Sequence, residues 1–165
     1  MISDKIIDAL NHQLNSELFS SYKYLAMAAY LENENLSGFS HWMKVQSQEE
    51  YGHAMKFYGY ILQVSAKVKL QRIEAAKGSW KSVKDVFEET LKHEQEVTKS
   101  IYDIVDLTAA EKDHATNIFL HWFVNEQVEE ESTAGKILEK IKLVGDAKSG
   151  LFLLDREMGM RARQA

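Results

Sequence analysis

The sequence contains no cysteine and no proline, and only 8 of its 165 residues are glycine. The absence of cysteine excludes disulfide bonds, thiolate metal sites and cysteine nucleophiles. The absence of proline and the scarcity of glycine favour long uninterrupted helices over a protein built from strands and tight turns. A chain of this length suits a single domain, spanning residues 1–165, with a core of useful size.

Features typical of several functional classes are also missing. No apolar run approaches the length of a membrane span, and the N terminus lacks the basic and apolar segments of a signal peptide. A net charge of −5 argues against a nucleic-acid partner, and Arg156, Arg161 and Arg163 near the C terminus are interpreted as a solvated tail. The glycine-rich motifs of nucleotide-binding proteins and hydrolases are absent. We therefore expect a soluble cytoplasmic protein whose partners include neither a membrane nor a nucleic acid.

Apolar residues recur at steps of three and four residues in four long stretches, which predicts four long helices. Ser3 and Ser82 are predicted N-caps, and Thr108 with Glu111 predicts a capping box at the start of the fourth helix. Gly145 is a natural C-terminal stop. The predicted helices cover about 3–32, 37–65, 82–107 and 108–144, and a short fifth helix covers 147–161.

The segment 66–81 between the second and third helices has no helical pattern. Its roughly 16 residues could reach ~53 Å when extended, whereas a helix of about 30 residues is ~45 Å long. The connection can therefore run the whole length of a bundle and leave the third helix parallel to the second. We predict an all-α four-helix bundle (3–144) with a long crossover between its second and third helices and a short C-terminal helix.

Four glutamates lie close to the middle of the four helices and on their apolar faces: Glu17, Glu50, Glu94 and Glu130. His53 follows Glu50 by three residues and therefore shares its helix face. Because each group is within about three residues of its helix midpoint, the groups should meet within ~5 Å of one level. Ionised carboxylates are very costly in a core unless they are paired or bind a metal. This constellation predicts a cation site.

Oxygen ligands with a single imidazole suit Fe(II), Mn(II) or Zn(II). Two divalent ions balance four carboxylates, which one ion cannot do. We assign Glu17, Glu50 and His53 to one metal, and Glu50, Glu94 and Glu130 to the other, with Glu50 bridging. The alternative is that these glutamates are surface residues that merely coincide with the apolar pattern.

The residues that carry this pattern resemble the prokaryotic non-haem ferritins. The similarity rests on Glu17, the run Glu49–His53, Glu94 and the run Glu126–Glu130. It extends to the flanking stretches His41–Met43, Glu111–Thr116 and Trp122–Phe123, and it covers essentially the whole chain.

The resemblance implies a ferritin-like fold and an iron store with ferroxidase activity. Two Fe(II) ions per subunit would be oxidised by dioxygen or peroxide at an intrasubunit di-iron centre. The ferric mineral would be kept inside a homo-oligomeric cage of 24 subunits. The resemblance also implies a third iron site at Glu49, Glu126 and Glu129, with Glu130 shared.

Two further residues acquire a role through the resemblance. Gln127 maps to a position that contacts a metal or the bound oxygen species, and Tyr24 to a tyrosine that hydrogen-bonds the centre and supplies an electron. From the residues alone, Gln127 could instead support a ligand by a hydrogen bond. Tyr24, like Trp122, could be an ordinary core aromatic residue. The third-site glutamates could equally form a solvated face.

Two features of the sequence differ from those of the related bacterioferritins. Helix four carries Gln127-x-x-Glu130 instead of a second Glu-x-x-His, which speaks against a bacterioferritin. Tyr51 stands where bacterioferritins have a haem-ligating methionine, so no haem is expected. Rubrerythrin would need cysteines. The remaining histidines do not continue the ligand rows and are interpreted as surface or helix-end residues: His12, His41, His93, His114 and His121.

Three functions remain open at this point. The first is ferroxidase combined with iron storage. The second is a di-metal oxidoreductase, which consumes oxygen or peroxide without storing a product. The third is a binding protein whose metals are structural or buffered. A bacterioferritin-like protein is a further alternative to the first.

Overall fold

The computed structural model describes residues 2–162 and contains five α-helices over that range. Their order along the chain confirms the predicted fold, four long helices followed by a short one. No helix among these residues is both long and apolar enough to cross a membrane. The helices are α1 (Asp4–Asn33), α2 (Ser37–Gln63), α3 (Val83–Ala110), α4 (His114–Val144) and α5 (Lys148–Met158).

Ser3 and Ser82 cap α1 and α3 as predicted, but the start of α4 differs from the prediction. The predicted capping box at Thr108 is wrong: Thr108 lies inside α3, and its hydroxyl donates to the Val105 carbonyl at 2.7 Å. Asp113 is the N-cap of α4, and its carboxylate accepts from the Thr116 backbone N–H at 3.1 Å. Aspartate caps a helix better than threonine, so the later position is favoured. Gly145 ends α4 with a φ of 55°, a conformation that favours glycine.

The crossover spans the length of the bundle, as predicted, and the structure shows that it packs along α1. Near one end of α1, the Asn11 side chain donates to the Lys67 carbonyl at 3.0 Å and accepts from the Lys69 N–H at 2.6 Å. Near the other end, the Trp80 and Tyr30 rings pack with their centroids 5.3 Å apart. The segment therefore spans the bundle, and α3 begins at the same end as α2.

The core consists of two apolar clusters, one toward each end of the bundle. One joins the ends of α1 and α4 to the starts of α2 and α3, with Phe39 and Phe87 in contact at its centre. The other joins the start of α1 to the later parts of α2 and α3 and to the start of α4, and Phe57 stacks on Phe123 within it. Buried polar side chains occupy the middle of the bundle between the two clusters. The fold thereby creates a polar layer that apolar residues seal from both ends.

Helix α5 docks on the start of α2. The Asp155 carboxylate accepts from the Phe39 N–H at 2.9 Å, and Leu154 and Met158 are buried. At Gly38 an added Cβ would lie 1.7 Å from the Asp155 carbonyl oxygen, so this close approach requires glycine. This contact fixes the position of α5, and of the residues that directly follow it, against α2.

Candidate metal centre

The five residues predicted to bind metal all lie in the polar layer. Each is at most 6% exposed, and they come from all four long helices: Glu17, Glu50, His53, Glu94 and Glu130. Their position follows from the helical pattern, because each replaces an apolar residue on a face that packs inward. Glu17, Glu50, Glu94 and Glu130 are called the inner carboxylates below.

The donor atoms fall into overlapping groups. One atom each from Glu17, Glu50 and His53 lies within 4.8 Å of the others, and so do atoms from Glu50, Glu94 and Glu130. Glu50 belongs to both groups. The structure therefore brings together the two sets that the sequence assigned to two metals, with the shared carboxylate between them.

Burial strongly affects the charge of the inner carboxylates. It raises the pKa of Glu17 and Glu50 well above the usual value, and neighbouring carboxylates raise both further. Burial, then the charge of Glu94, raises the pKa of Glu130 to about 8. Without a cation the centre would therefore take up protons, and divalent cations would displace them.

The donor set fits such a cation. Glu17 Oε2 is buried without a hydrogen-bond partner and lies 4.0 Å from His53 Nδ1, which is itself 3.3 Å from Glu50 Oε2. A buried carboxylate oxygen without a donor is costly unless something else satisfies it. Carboxylates with one imidazole suit borderline divalent metals such as Fe(II).

Two glutamines hold the inner carboxylates in place. The Gln13 amide donates to Glu17 at 2.8 Å, and the Gln46 amide donates to Glu50 at 2.8 Å and to Glu130 at 2.9 Å. The sequence analysis assigned no role to either residue. The signal was present, because each glutamine stands four residues before its glutamate and therefore shares its helix face.

Tyr24 and Gln127 both contact Glu94. The Tyr24 hydroxyl donates to Glu94 Oε1. The Gln127 amide nitrogen donates to Glu94 Oε2 at 3.2 Å. Each therefore orients a carboxylate of the centre, an arrangement that tunes metal ligands.

The predicted third-site glutamates, called the outer carboxylates, occupy three different environments. Glu126 lies within 4.8 Å of His53 and Glu130, with 3.9 Å between Glu126 Oε1 and His53 Nε2. Glu49 is outside the candidate groups found among residues 2–162 and instead forms an ion pair with Arg161. Glu129 is also outside these groups and is exposed.

The predicted exposure of two residues, His93 and Arg161, was wrong. His93 is not a surface residue: it is 7% exposed, bonds Ser20 Oγ at 2.8 Å and packs edge-on against Tyr24. Burial lowers its pKa to about 4. Arg161 is not part of a solvated tail, since it contacts Glu49. Arg156 is exposed, and Arg163 lies outside the described residues.

A surface hollow leads to the outer side of the centre. Glu49, His53, Lys56 and Trp122 are among the residues that line it. The Trp122 ring lies 5.3 Å from the His53 ring, and the Lys56 ammonium lies 4.2 Å from the Trp122 ring centre. His53 thus separates the buried carboxylates from solvent.

Comparison with known proteins agrees with this geometry. Residues 7–144 match a family model described as Ferritin, a ferritin-like domain. A bacterial non-heme ferritin of Bacteroides fragilis is 47% identical over 161 residues, which cover 98% of this chain and 100% of the relative. One from Staphylococcus aureus is 37% identical over 98% of this chain and 97% of its own length.

Solved structures give the same result. The open pore ferritin of the hyperthermophilic archaeon Archaeoglobus fulgidus has a TM-score of 0.97 at 45% identity, covering 98% of this chain and 99% of that one. A humanized archaeal ferritin has a TM-score of 0.99 at 44% identity, with both chains covered completely (100%).

Proposed function

The chain belongs to the ferritin family, and we propose that it oxidises Fe(II) and stores the ferric product inside a cage of its own subunits. Iron is the substrate and the cargo. The proposal is supported by relatives named non-heme ferritins over nearly the full chain. It is supported independently by the chemistry of the buried layer.

The observation that carries the proposal is the sharing of Glu50 by two groups of donor atoms. Glu17, Glu50 and His53 would hold one Fe(II), and Glu50, Glu94 and Glu130 the other. Dioxygen takes up two electrons to reach peroxide, and peroxide takes up two more to reach water. A pair of adjacent Fe(II) ions supplies electrons in that number, so we assign ferroxidase activity to this centre.

The surrounding residues would keep the ligands in position during oxidation. Gln46 holds Glu50 and Glu130, while Tyr24 and Gln127 hold Glu94. We also propose Tyr24 as an electron donor, because its hydroxyl contacts a ligand directly. Gln127 as a direct contact of the metal or oxidant stays a proposal from the family resemblance.

A third iron site at the outer carboxylates is proposed with uneven support. Glu126 lies beside His53 and Glu130, whereas Glu49 is paired with Arg161 and Glu129 is exposed. Any third ion would therefore bind after the first two. No haem is proposed, because Tyr51 occupies the position of the bacterioferritin haem ligand.

The ferritin structures support a homo-oligomeric cage, and we propose 24 subunits and a cytoplasmic location from the family resemblance. Several large apolar side chains are exposed on the single subunit, among them Ile118 at 69%, Val128 at 61% and Leu143 at 89%. Such side chains are suited to contacts between subunits.

Stepwise aerobic addition of Fe(II) tests the function. The expected result is that each subunit oxidises many equivalents, and that the ferric product stays in solution with an assembly whose native mass is that of 24 chains. Oxidation that stops at two equivalents per subunit would favour the non-storage oxidoreductase. Binding without oxidation would favour a metal-binding protein.

A further inference from the structure

The guanidinium group of Arg161 makes several specific contacts. One nitrogen pairs with the Glu49 carboxylate, and Nη1 donates to Gln46 Oε1 at 2.9 Å. The guanidinium carbon lies 4.2 Å from the centre of the Trp42 ring. The Arg161 side chain is 19% exposed and that of Glu49 only 10%. An arginine that stacks on an aromatic ring and pairs with a carboxylate is held in one geometry.

The main chain holds Arg161 at this place. A His41 ring nitrogen lies 2.9 Å from the Arg161 carbonyl oxygen. Arg161 also follows α5 closely, and α5 is anchored to α2 by the bond between Asp155 and Phe39. The fold therefore positions the guanidinium beside Glu49, because both α5 and the Arg161 main chain are held against α2.

Only one of the two carboxylate oxygens of Glu49 has a hydrogen-bond partner. Its Oε2 receives Arg161, while its Oε1 is buried and has no hydrogen-bond partner. The same side chain lines the hollow beside His53. A nine-tenths buried carboxylate with one orphaned oxygen is ready to accept a second donor or a cation.

We propose that the guanidinium of Arg161 competes with metal ions for Glu49 and thereby weakens metal binding at the outer carboxylates. This inference rests on the proposed function, because it takes Glu49 as a ligand. A guanidinium and a divalent ion at one carboxylate repel each other over a few ångströms. Arg161 is a positioning residue that lowers the affinity of the outer site.

The inner carboxylates lack a comparable competitor. No ion pair within residues 2–162 joins a lysine or arginine to Glu17, Glu50, Glu94 or Glu130. Two metal ions can therefore enter the inner groups without displacing a cationic side chain, whereas the outer site starts with one in place. This difference sets the order of filling, inner before outer.

Arg161 is also linked to the inner carboxylates through the Gln46 side chain. By donating to Gln46 Oε1, it orients that amide so that Nε2 faces Glu50 and Glu130. Loss of Arg161 should leave both inner ions bound, since their ligands remain, and should affect chiefly the outer one.

Calorimetric titration of the apo assembly with Zn(II), which is not oxidised, tests the proposal without using activity. The wild type should bind two ions tightly per subunit and a third weakly. Arg161→Gln should raise the affinity for the third ion by about tenfold or more, because a charge-assisted bond no longer competes. Arg161→Lys should fall between the two, since it keeps the charge but loses the planar fork.

Two controls identify the cause. Arg156→Gln removes the same charge from an exposed position on α5 and should behave as wild type. Glu49→Gln combined with Arg161→Gln should abolish the gain. Equal third-ion affinity in wild type and Arg161→Gln, or only two ions in both, overturns the inference while leaving the proposed function intact. Failure of the wild type to bind two ions overturns the proposed function itself.

Discussion

Glu49 and Glu50 are neighbours in the sequence, yet α2 places them in opposite electrostatic surroundings. Glu50 faces the core, where it is 2% exposed and surrounded by other carboxylates. Glu49 lies about 100° around the helix, on the hollow side, where Arg161 neutralises it. The inner position can be neutralised only by protons or metal ions, whereas the outer one already has a protein cation.

Under the proposed function, this difference separates two inner metal sites that have no protein cation from an outer site that has one. Without ions at the inner positions, several buried carboxylates face each other, and burial together with their mutual repulsion raises the pKa of Glu50 and Glu130. Removing an outer ion leaves Glu49 paired with Arg161. We therefore expect changes to the inner carboxylates to be severe and changes to the outer ones to be graded.

The largest effect is expected from removing the shared ligand together with the histidine. Glu50→Ala combined with His53→Ala should lower the initial rate of Fe(II) oxidation by more than about 100-fold, since ligands matter more than the residues that orient them. Stopped-flow absorbance measures the rate, and circular dichroism should show an intact helical fold.

Tyr51 provides the matched control on the same helix. It is 54% exposed, so Tyr51→Ala should oxidise Fe(II) at the wild-type rate. An unchanged initial rate in the Glu50 and His53 variant would remove the assigned centre and, with it, the contrast between the inner and outer carboxylates.

The next prediction concerns how the free energy of unfolding of the apo protein depends on pH. Because the pKa of Glu130 is about 8 in the folded state and 4.5 for an ordinary solvated glutamate, the folded state holds more protons between these values. The free energy of unfolding should therefore fall as pH rises through that window, by up to ~1.4 kcal/mol per pH unit for each extra proton.

His93 acts in the opposite direction, so the measurement needs a restricted range. Its pKa of about 4 lies below the ordinary histidine value of 6.5, and its contribution to stability grows as pH rises between these two values. Most of the His93 contribution is already present at pH 6.5, so thermal unfolding between pH 6.5 and 8 reports mainly on the carboxylates. Zn(II) loading should abolish the decline, and a decline that persists with Zn(II) bound would contradict the assignment.

The sequence predicted the inner side of the centre far better than the outer side. Helical periodicity placed Glu17, Glu50, Glu94 and Glu130 on inward faces, and coincidence of the helix midpoints placed them at one level. Both arguments depend only on local geometry, which repeats along each helix. Similar reasoning could have found Gln13 and Gln46, which stand four residues before an inner carboxylate.

The outer side depends on contacts between distant parts of the chain. Arg161 and Glu49 are 112 residues apart, and their pairing requires α5 to dock at Gly38. Nothing in the residues around Arg161 distinguishes it from the exposed Arg156. His93 was missed for a related reason, since its burial comes from packing against Ser20 and Tyr24 on α1.

A moderate effect is expected from Tyr24→Phe. The variant removes the bond that Tyr24 donates to Glu94 but keeps the ring that packs against His93. The initial oxidation rate should fall by up to about 10-fold, the scale typical of groups that orient a ligand. If Tyr24 also supplies an electron, a transient tyrosyl signal should appear in freeze-quenched wild type and be absent from the variant. An unchanged rate would limit Tyr24 to packing.

The smallest effects should appear among the outer carboxylates, and they should be unequal. Glu126 lies beside His53 and Glu130, whereas Glu129 is exposed and outside every candidate group within residues 2–162. Glu126→Gln should therefore weaken binding of the third Zn(II) by several-fold, while Glu129→Gln should change it less than about twofold, since isolated surface charges contribute little. Calorimetry of both variants under one set of conditions measures the difference. If Glu129→Gln weakens the third ion as much as Glu126→Gln does, Glu129 must turn inward when the outer site fills, and the outer carboxylates would then act as one set despite their separate positions in the subunit.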